Sequence, residues 1–189
     1  MTDPVLERKP AAGRALVVLG VVAVLAVGVD QLVKELSTKN LEEYGESVRL
    51  LGGLLYLSLI RNSGAAFSLG SDYTWIFPLV TVAVVTWIGF MAKRLRSVPW
   101  AIALGLVLGG AFGNLLDRLF RAPGFLHGHV VDMFSLFGPR GEYFAIFNIA
   151  DACLSVGVVL AVLLELTGRQ RDGTRAPVRK PGPVKKKAS

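Results

Sequence analysis

Apolar residues in this chain come in four long blocks, set apart by two polar stretches and one short basic turn. The first block, 15–29 (ALVVLGVVAVLAVGV), continues past Asp30 through Leu32 and Val33 to Leu36. Blocks 73–92 and 97–116 each run 20 residues without a formal charge, and the fourth, 143–164, is interrupted only by Asp151. A helix rises about 1.5 Å per residue, so roughly 20 residues cross a hydrocarbon core. The pattern predicts four membrane-spanning helices. Pro78 and Pro99 fall in the first turn or two of the second and third, where a missing N–H is best tolerated. Arg8, Lys9 and Arg14 before the first block, with Ala26 and Gly28 inside it, also fit a cleavable signal peptide. The DQLVK stretch that follows reads instead as the same helix continuing.

The two longer connections, 37–72 and 119–142, differ from the 93–96 turn in length and pattern. The stretch VRLLGGLLYLSLIRNSGAAFSLG (48–70) alternates short apolar runs rich in β-formers with Gly and an Arg-Asn-Ser-Gly turn. It predicts a small sheet or hairpin lying on a membrane surface. The fold class is therefore an all-α membrane protein of four transmembrane helices with a small extracytoplasmic β-containing segment.

Composition agrees. The 189-residue chain is 52% hydrophobic with a mean hydropathy of +0.52, an excess beyond what a soluble core requires. Cys153 is the single cysteine, so no intrachain disulfide forms. It reads as a small buried filler in an apolar run. The net charge of +7 raises nucleic-acid binding as a first possibility. Much of that excess lies in the tail 167–189, which is rich in Pro, Gly, Lys and Arg and is expected to be disordered. The tail has no aromatic residue to stack on bases, so membrane lipids rather than nucleic acid are the expected partner.

Charge also sets orientation. With both termini inside, three Lys or Arg precede the first block, three sit in the KRLR turn and eight in the tail, fourteen of the 21. The expected plan is a cytoplasmic N-terminus (1–14), a four-helix domain (15–166) with outer loops 37–72 and 119–142, and a cytoplasmic tail (167–189).

Polar residues in the spans gather toward their outer ends. Asp30 and Lys34 are four apart and share a helix face. The segment GGAFGNLLDR closes the third block with Asn114, Asp117 and Arg118 within about one turn, and Gly109, Gly110 and Gly113 leave room for a helix or a substrate. Asp132 lies in the second outer loop at the edge of an apolar patch, and Asn148 and Asp151 share a face of the fourth span. Most of these have structural readings: Asp30–Lys34 and Asp117 with Arg118 or Arg121 as helix-end ion pairs, the asparagines as interhelical glue. Asp151 resists that treatment, because a carboxylate in hydrocarbon costs roughly 2.5–3.5 kcal/mol even on lenient scales. His127 and His129 near Asp132 are a weak metal signal, and no serine is placed to pair with Lys34 as a nucleophile. A proton-coupled transporter would need polar groups through the full membrane depth, and the inner halves of spans two and three are apolar. A non-catalytic membrane subunit would tolerate loss of both Asp132 and Asp151.

The blocks DQLVK (30–34), NSGAAF (62–67), GGAFGNLLDR (109–118), VVDM (130–133) and FNIAD (147–151) occur in this order. Together they resemble the bacterial lipoprotein signal peptidases, the signal peptidase II family. The resemblance implies an aspartic intramembrane endopeptidase of the bacterial cytoplasmic membrane. It would remove the signal peptide of a lipid-modified prolipoprotein, just before the diacylglyceryl cysteine. It implies Asp132 and Asp151 as the catalytic pair, a chemistry that needs no metal or other cofactor; a monomer is expected. By the same resemblance Asp30, Lys34, Asn62, Asn114, Arg118 and Asn148 would shape and hold the site, and Gly109, from its lack of a side chain, is expected to give a substrate close approach. Position 133 is Met where Phe is common in that block, and the stretch from Arg118 to Asp132 is longer than is usual.

Overall fold

A computed structural model describes residues 12–64 and 76–176. Residues 65–67 of the NSGAAF block, 73–75 of the second apolar block and 177–189 of the tail lie outside the described residues. The described residues form four helices: α1 (Ala12–Asn40), α2 (Ile76–Ala92), α3 (Val98–Phe120) and α4 (Ile149–Leu166). Three of them, α1, α3 and α4, are long and apolar enough to cross a membrane; α2 is apolar but shorter, at 17 residues. Their outward faces are bare hydrocarbon. Val17, Val24 and Leu25 on α1, and Val156, Val159 and Leu166 on α4, are all exposed, Val24 at 72%. Apolar rows of this extent suit contact with lipid.

α3 is the hub, packed against α1, α2 and α4. Small residues permit this. A β-carbon on Gly109 would fall 2.6 Å from that of Ala26 in α1, and one on Gly110 would collide with the carbonyl of Ala150 at the head of α4. The glycines of GGAFG are thus filled by neighbouring helices. At one end of the bundle Leu19, Ile88, Leu95, Trp100 and Leu104 form the main apolar core. A smaller one, Leu59, Val131 and Met133 backed by Val33 and Leu41, lies at the other end under a sheet.

That sheet has three antiparallel strands in the order β1 (Val48–Leu50), β2 (Leu55–Asn62), β3 (Val130–Leu136). The expected hairpin in the first long loop is β1–β2. The third strand comes from the second long loop, so Asp132 stands on a strand and not in a loop as the sequence pattern suggested. Its neighbours Val131 and Met133 are fully buried apolar residues, which seats the strand against α1. One extra residue in β2 between Leu57 and Ile60 makes a bulge, after which Ile60 faces Asp132 and Asn62 faces Val130.

Two further boundaries differ from the sequence reading. The fourth helix starts at Ile149, not near 143. Phe147 is claimed by the sheet: its N–H donates to Phe134 O at 3.0 Å, and its carbonyl accepts from Phe134 N–H at 2.8 Å. Apolar composition alone cannot separate such an edge segment from a helix. The tail, in turn, does not leave the bundle at 167. Gly168, with φ +67°, ends α4 in a Schellman motif: its N–H reaches Glu165 O at 3.0 Å and that of Arg169 reaches Leu164 O at 2.9 Å. Residues 169–175 then turn back as a short hairpin. Arg171 O accepts from the N–H groups of Arg96 and Ser97, and Arg169 O from Trp100 Nε1 at 2.7 Å. Backbone hydrogen bonds to the α2–α3 turn order a segment whose side chains look disordered. Cys153, expected buried, is half-buried on α4.

Candidate active site

Asn148 is the N-cap of α4 and Asp151 its N3 residue, and the two form a capping box. Asn148 Oδ1 accepts from Asp151 N–H at 2.9 Å while Asp151 Oδ2 accepts from Asn148 N–H at 3.2 Å. Asp151 is therefore not stranded within a span. It sits in the first helical turn, where its carboxyl accepts the N-cap N–H.

The antiparallel bridge between Phe147 and Phe134, which lies two residues after Asp132 on β3, brings Asn148 beside Asp132. Asn148 Nδ2 donates to Asp132 Oδ1 at 2.7 Å, and Asn62 Nδ2 donates to Asp132 Oδ2 at 3.0 Å. Asn62 reaches it as the diagonal neighbour across the β2–β3 ladder, a placement that follows from the bulge. Asn114 completes the frame: its Nδ2 donates to Asp151 Oδ1 at 2.8 Å, and its Oδ1 accepts from Asn148 Nδ2 at 3.1 Å. Both carboxylates thus hang from one chain of asparagine amides, and both line a single cavity of about 690 Å³. Its other walls are mostly apolar, with Pro78 and Val84 from α2 and Leu154 from α4. Asp132 is 2% exposed, and burial pushes its carboxyl up to about 7. The charge of Asp151 pushes the same way; the Asn62 and Asn148 amides and Lys34 oppose it.

Behind the cavity lies a buried ionic cluster. The Lys34 ammonium, fully buried, has three hydrogens and three acceptors: Asp30 Oδ2 at 2.8 Å, Asp117 Oδ2 at 2.8 Å and Asn114 Oδ1 at 3.0 Å. The bond to Asn114 fixes its amide so that the NH₂ faces Asp151. Asp30 Oδ1 also accepts from Ala150 N–H at 2.9 Å, tying α1 to the start of α4. Asp117 binds Arg121 Nε at 2.6 Å, Gln31 Nε2 at 3.2 Å and Val131 N–H at 3.2 Å. The helix-end ion pair that its position suggested is present, but Asp117 is also fully buried and central to the cluster. Its ionic partners are Arg121 and Lys34. Arg118 turns away to donate to the carbonyls of Ser63, Gly64 and Gly128, so it clamps the end of β2 to the second loop.

Eight of the nine candidate residues converge on this network. Gly109 does not line the cavity and serves α1–α3 packing. Sequence reasoning missed Gln31, whose amide links Asp30, Asp117 and Arg121. Its place next to Asp30 in DQLVK was the available signal. His127 is exposed, with Nδ1 3.0 Å from Phe125 O. Among the described residues no group of three or more His, Cys, Asp or Glu could hold a metal ion.

Lipid-facing helices around a buried polar cluster, with two carboxylates on a shared cavity, define a multi-pass membrane protein with a built internal site. The family model described as "Signal peptidase (SPase) II" matches residues 22–167. The chain belongs to the signal peptidase II family. Proteins named "Lipoprotein signal peptidase" are similar over most of its length. The one from Leifsonia xyli subsp. xyli is 46% identical over 178 residues, covering 92% of this chain and 80% of the relative. That from Rhodococcus jostii is 44% identical over 172 residues, covering 91% and 84%. A solved chain described as "Bacterial membrane enzyme structure by the in meso method at 1.9 A resolution" superposes with a TM-score of 0.68 at 28% identity, covering 85% of this chain and 97% of that one.

Proposed function

We propose that this protein is an aspartic intramembrane endopeptidase that cleaves the signal peptide of diacylglyceryl-modified prolipoproteins before the lipidated cysteine. The observation that carries the reading is the pair Asp132 and Asp151, held on one cavity by the amides of Asn62, Asn114 and Asn148. Two neighbouring carboxylates in a low-dielectric site share one proton. Charge balance favours that state. Lys34 and Arg121 pair with the structural carboxylates Asp30 and Asp117, Arg118 adds a third positive charge that acts on Asp132 and Asp117, and one further negative charge makes the cluster neutral. The ionised member takes a proton from water as its oxygen attacks the scissile carbonyl. The protonated member donates to the carbonyl oxygen, and the pair then returns a proton to the leaving amine. The pair titrates as a unit, so neither role is assigned to one residue.

The apolar walls suit a substrate that is mostly lipid-soluble. A signal-peptide helix can lie in the bilayer while its acylated cysteine leaves its chains in lipid, each buried CH₂ contributing about 0.8 kcal/mol. Incubated with the purified protein, a lipid-modified prolipoprotein should yield one product starting at the modified cysteine, read by mass mapping. An unmodified cysteine should be cut at least about tenfold more slowly. Equal rates on the two would remove lipid recognition from the reading, and cleavage elsewhere would remove the specificity.

The pH profile is a second test. With the carboxyl of Asp132 raised to about 7 beside Asp151, the pair as a unit keeps its shared proton below that pH and loses it above. The reactive single-proton state is then lost as pH rises, so kcat/KM should fall along an alkaline limb centred near 7. Stability moves in the same direction. A carboxyl whose folded value lies above its unfolded value of 3.8 contributes most below about pH 4, and that contribution is gone once pH passes 7. A flat profile from pH 5 to 9 would contradict the shared proton.

In the proposed orientation all four helices span the bacterial cytoplasmic membrane, with both termini cytoplasmic and the dyad toward the outer face. Reporter fusions in the KRLR turn and at the C-terminus should read cytoplasmic, and one near Glu43 external. An external signal at KRLR would reverse the topology.

A further inference from the structure

The end of the bundle away from the dyad holds a second pocket, of about 670 Å³, that the peptidase chemistry does not use. One wall is the last turns of α2, with Trp87, Phe90 and Met91; the other carries Arg94, Arg169 and Arg171. We propose that this pocket binds the phosphodiester headgroup of an anionic phospholipid.

Three observations carry the assignment. The first is unspent positive charge. All three arginines are exposed, and none makes an ion pair with a described carboxylate. Arg171 stacks its guanidinium 5.7 Å from the centre of the Trp100 ring, which leaves its hydrogen-bonding edge open. Glu165 and Asp172 also line the pocket, but Asp172 Oδ1 already accepts from the N–H and hydroxyl of Thr174. Three cations against two carboxylates leave a net positive lining, and Lys93 adds to it from above the Phe90 ring.

The second observation is how the arginines are held. The hairpin is fixed through its backbone: the carbonyls of Arg169 and Arg171 are taken by Trp100, Arg96 and Ser97. A segment anchored by main-chain bonds presents its guanidiniums without spending them on its own docking. Guanidinium forks match phosphate oxygens in geometry and charge.

The third observation selects a lipid over free phosphate. Trp87 and Phe90 are 55% and 64% exposed at the end of α2, and the apolar face continues through exposed Val82 and Leu79. Aromatic rings at a helix end mark headgroup level, and an apolar face beyond them gives acyl chains a track. Inorganic phosphate has no use for that wall. In the proposed orientation the pocket meets the inner leaflet, where anionic headgroups draw basic side chains.

The test is native mass spectrometry of the purified full-length protein in detergent, given phosphatidylglycerol or phosphatidylcholine with the same acyl chains. One phosphatidylglycerol should be retained in preference. Replacing Arg94, Arg169 and Arg171 by Gln should weaken retention on the order of fivefold per guanidinium, about a hundredfold for all three. The corresponding triple Lys variant should keep most of it. Arg94→Gln alone, outside the hairpin, should weaken binding even if the triple Gln variant unfolds. Millimolar inorganic phosphate should not displace the lipid. Equal retention of the two lipids, unchanged binding in Arg94→Gln, or displacement by phosphate would each overturn the proposal. Because no peptide is cleaved in this assay, its outcome is independent of the peptidase reading.

Discussion

Asp132→Asn and Asp151→Asn should each reduce cleavage of a lipid-modified prolipoprotein by at least about 10²–10⁴-fold, the usual value of general acid–base catalysis. Asn has nearly the shape of Asp but cannot hold or release the shared proton. Since the pair acts as a unit, the double variant should be little worse than either single one. Neither substitution is free of structural effect. Both oxygens of Asp132 accept from side-chain amides, and both oxygens of Asp151 accept as well. An introduced NH₂ therefore meets a donor, at a cost of about 1–3 kcal/mol. For Asp151 that cost offsets what is gained by deleting an intramembrane acid. The activity loss must accordingly be read on protein shown to be folded, by matched melting or size-exclusion behaviour. Substantial turnover by either folded variant would dispose of the aspartic mechanism.

Lys34→Met should cause the largest loss of stability, about 3–5 kcal/mol, the usual cost of removing one partner from a buried ion pair. Its ammonium is the cation bonded to Asp30, and it also satisfies Asp117 and Asn114. Asp117 retains Arg121, so Asp30 bears most of the damage. Because Asp30 also holds Ala150 N–H, the start of α4 should loosen and Asp151 with it. Activity should then fall along with stability. Lys34→Arg should not rescue, because a fully buried site shaped around an ammonium lacks room for a guanidinium. Unfolding in a detergent titration reads the effect, and wild-type resistance in Lys34→Met would mean that these carboxylates are not charged in the fold.

Much of this site was visible as residue types in the chain. Asp30 with Lys34 followed from helical spacing, and Asp151 stood out because an acid is costly inside an apolar block. Asp117 was undervalued for a physical reason. An acid at a helix end flanked by two arginines looks solvated when nothing shows that α1 and β3 bury it. Gln31 was missed because a neutral amide beside an acid carries no signal until a third helix lies opposite.

The amino-acid sequence by itself determined the apolar helices and the hairpin of the first loop, because hydrophobic run length and turn chemistry act locally. It also determined which polar residues could not be bland. The tertiary structure alone decided where α4 begins, since β3 takes Phe147 and leaves Asn148 to cap the helix. It placed Asp132 on a strand and joined it to Asp151 through Asn148 and Asn114. It also folded residues 168–176 back onto the α2–α3 turn. Each of these rests on hydrogen bonds between residues distant in the chain, and such bonds leave no periodicity along it.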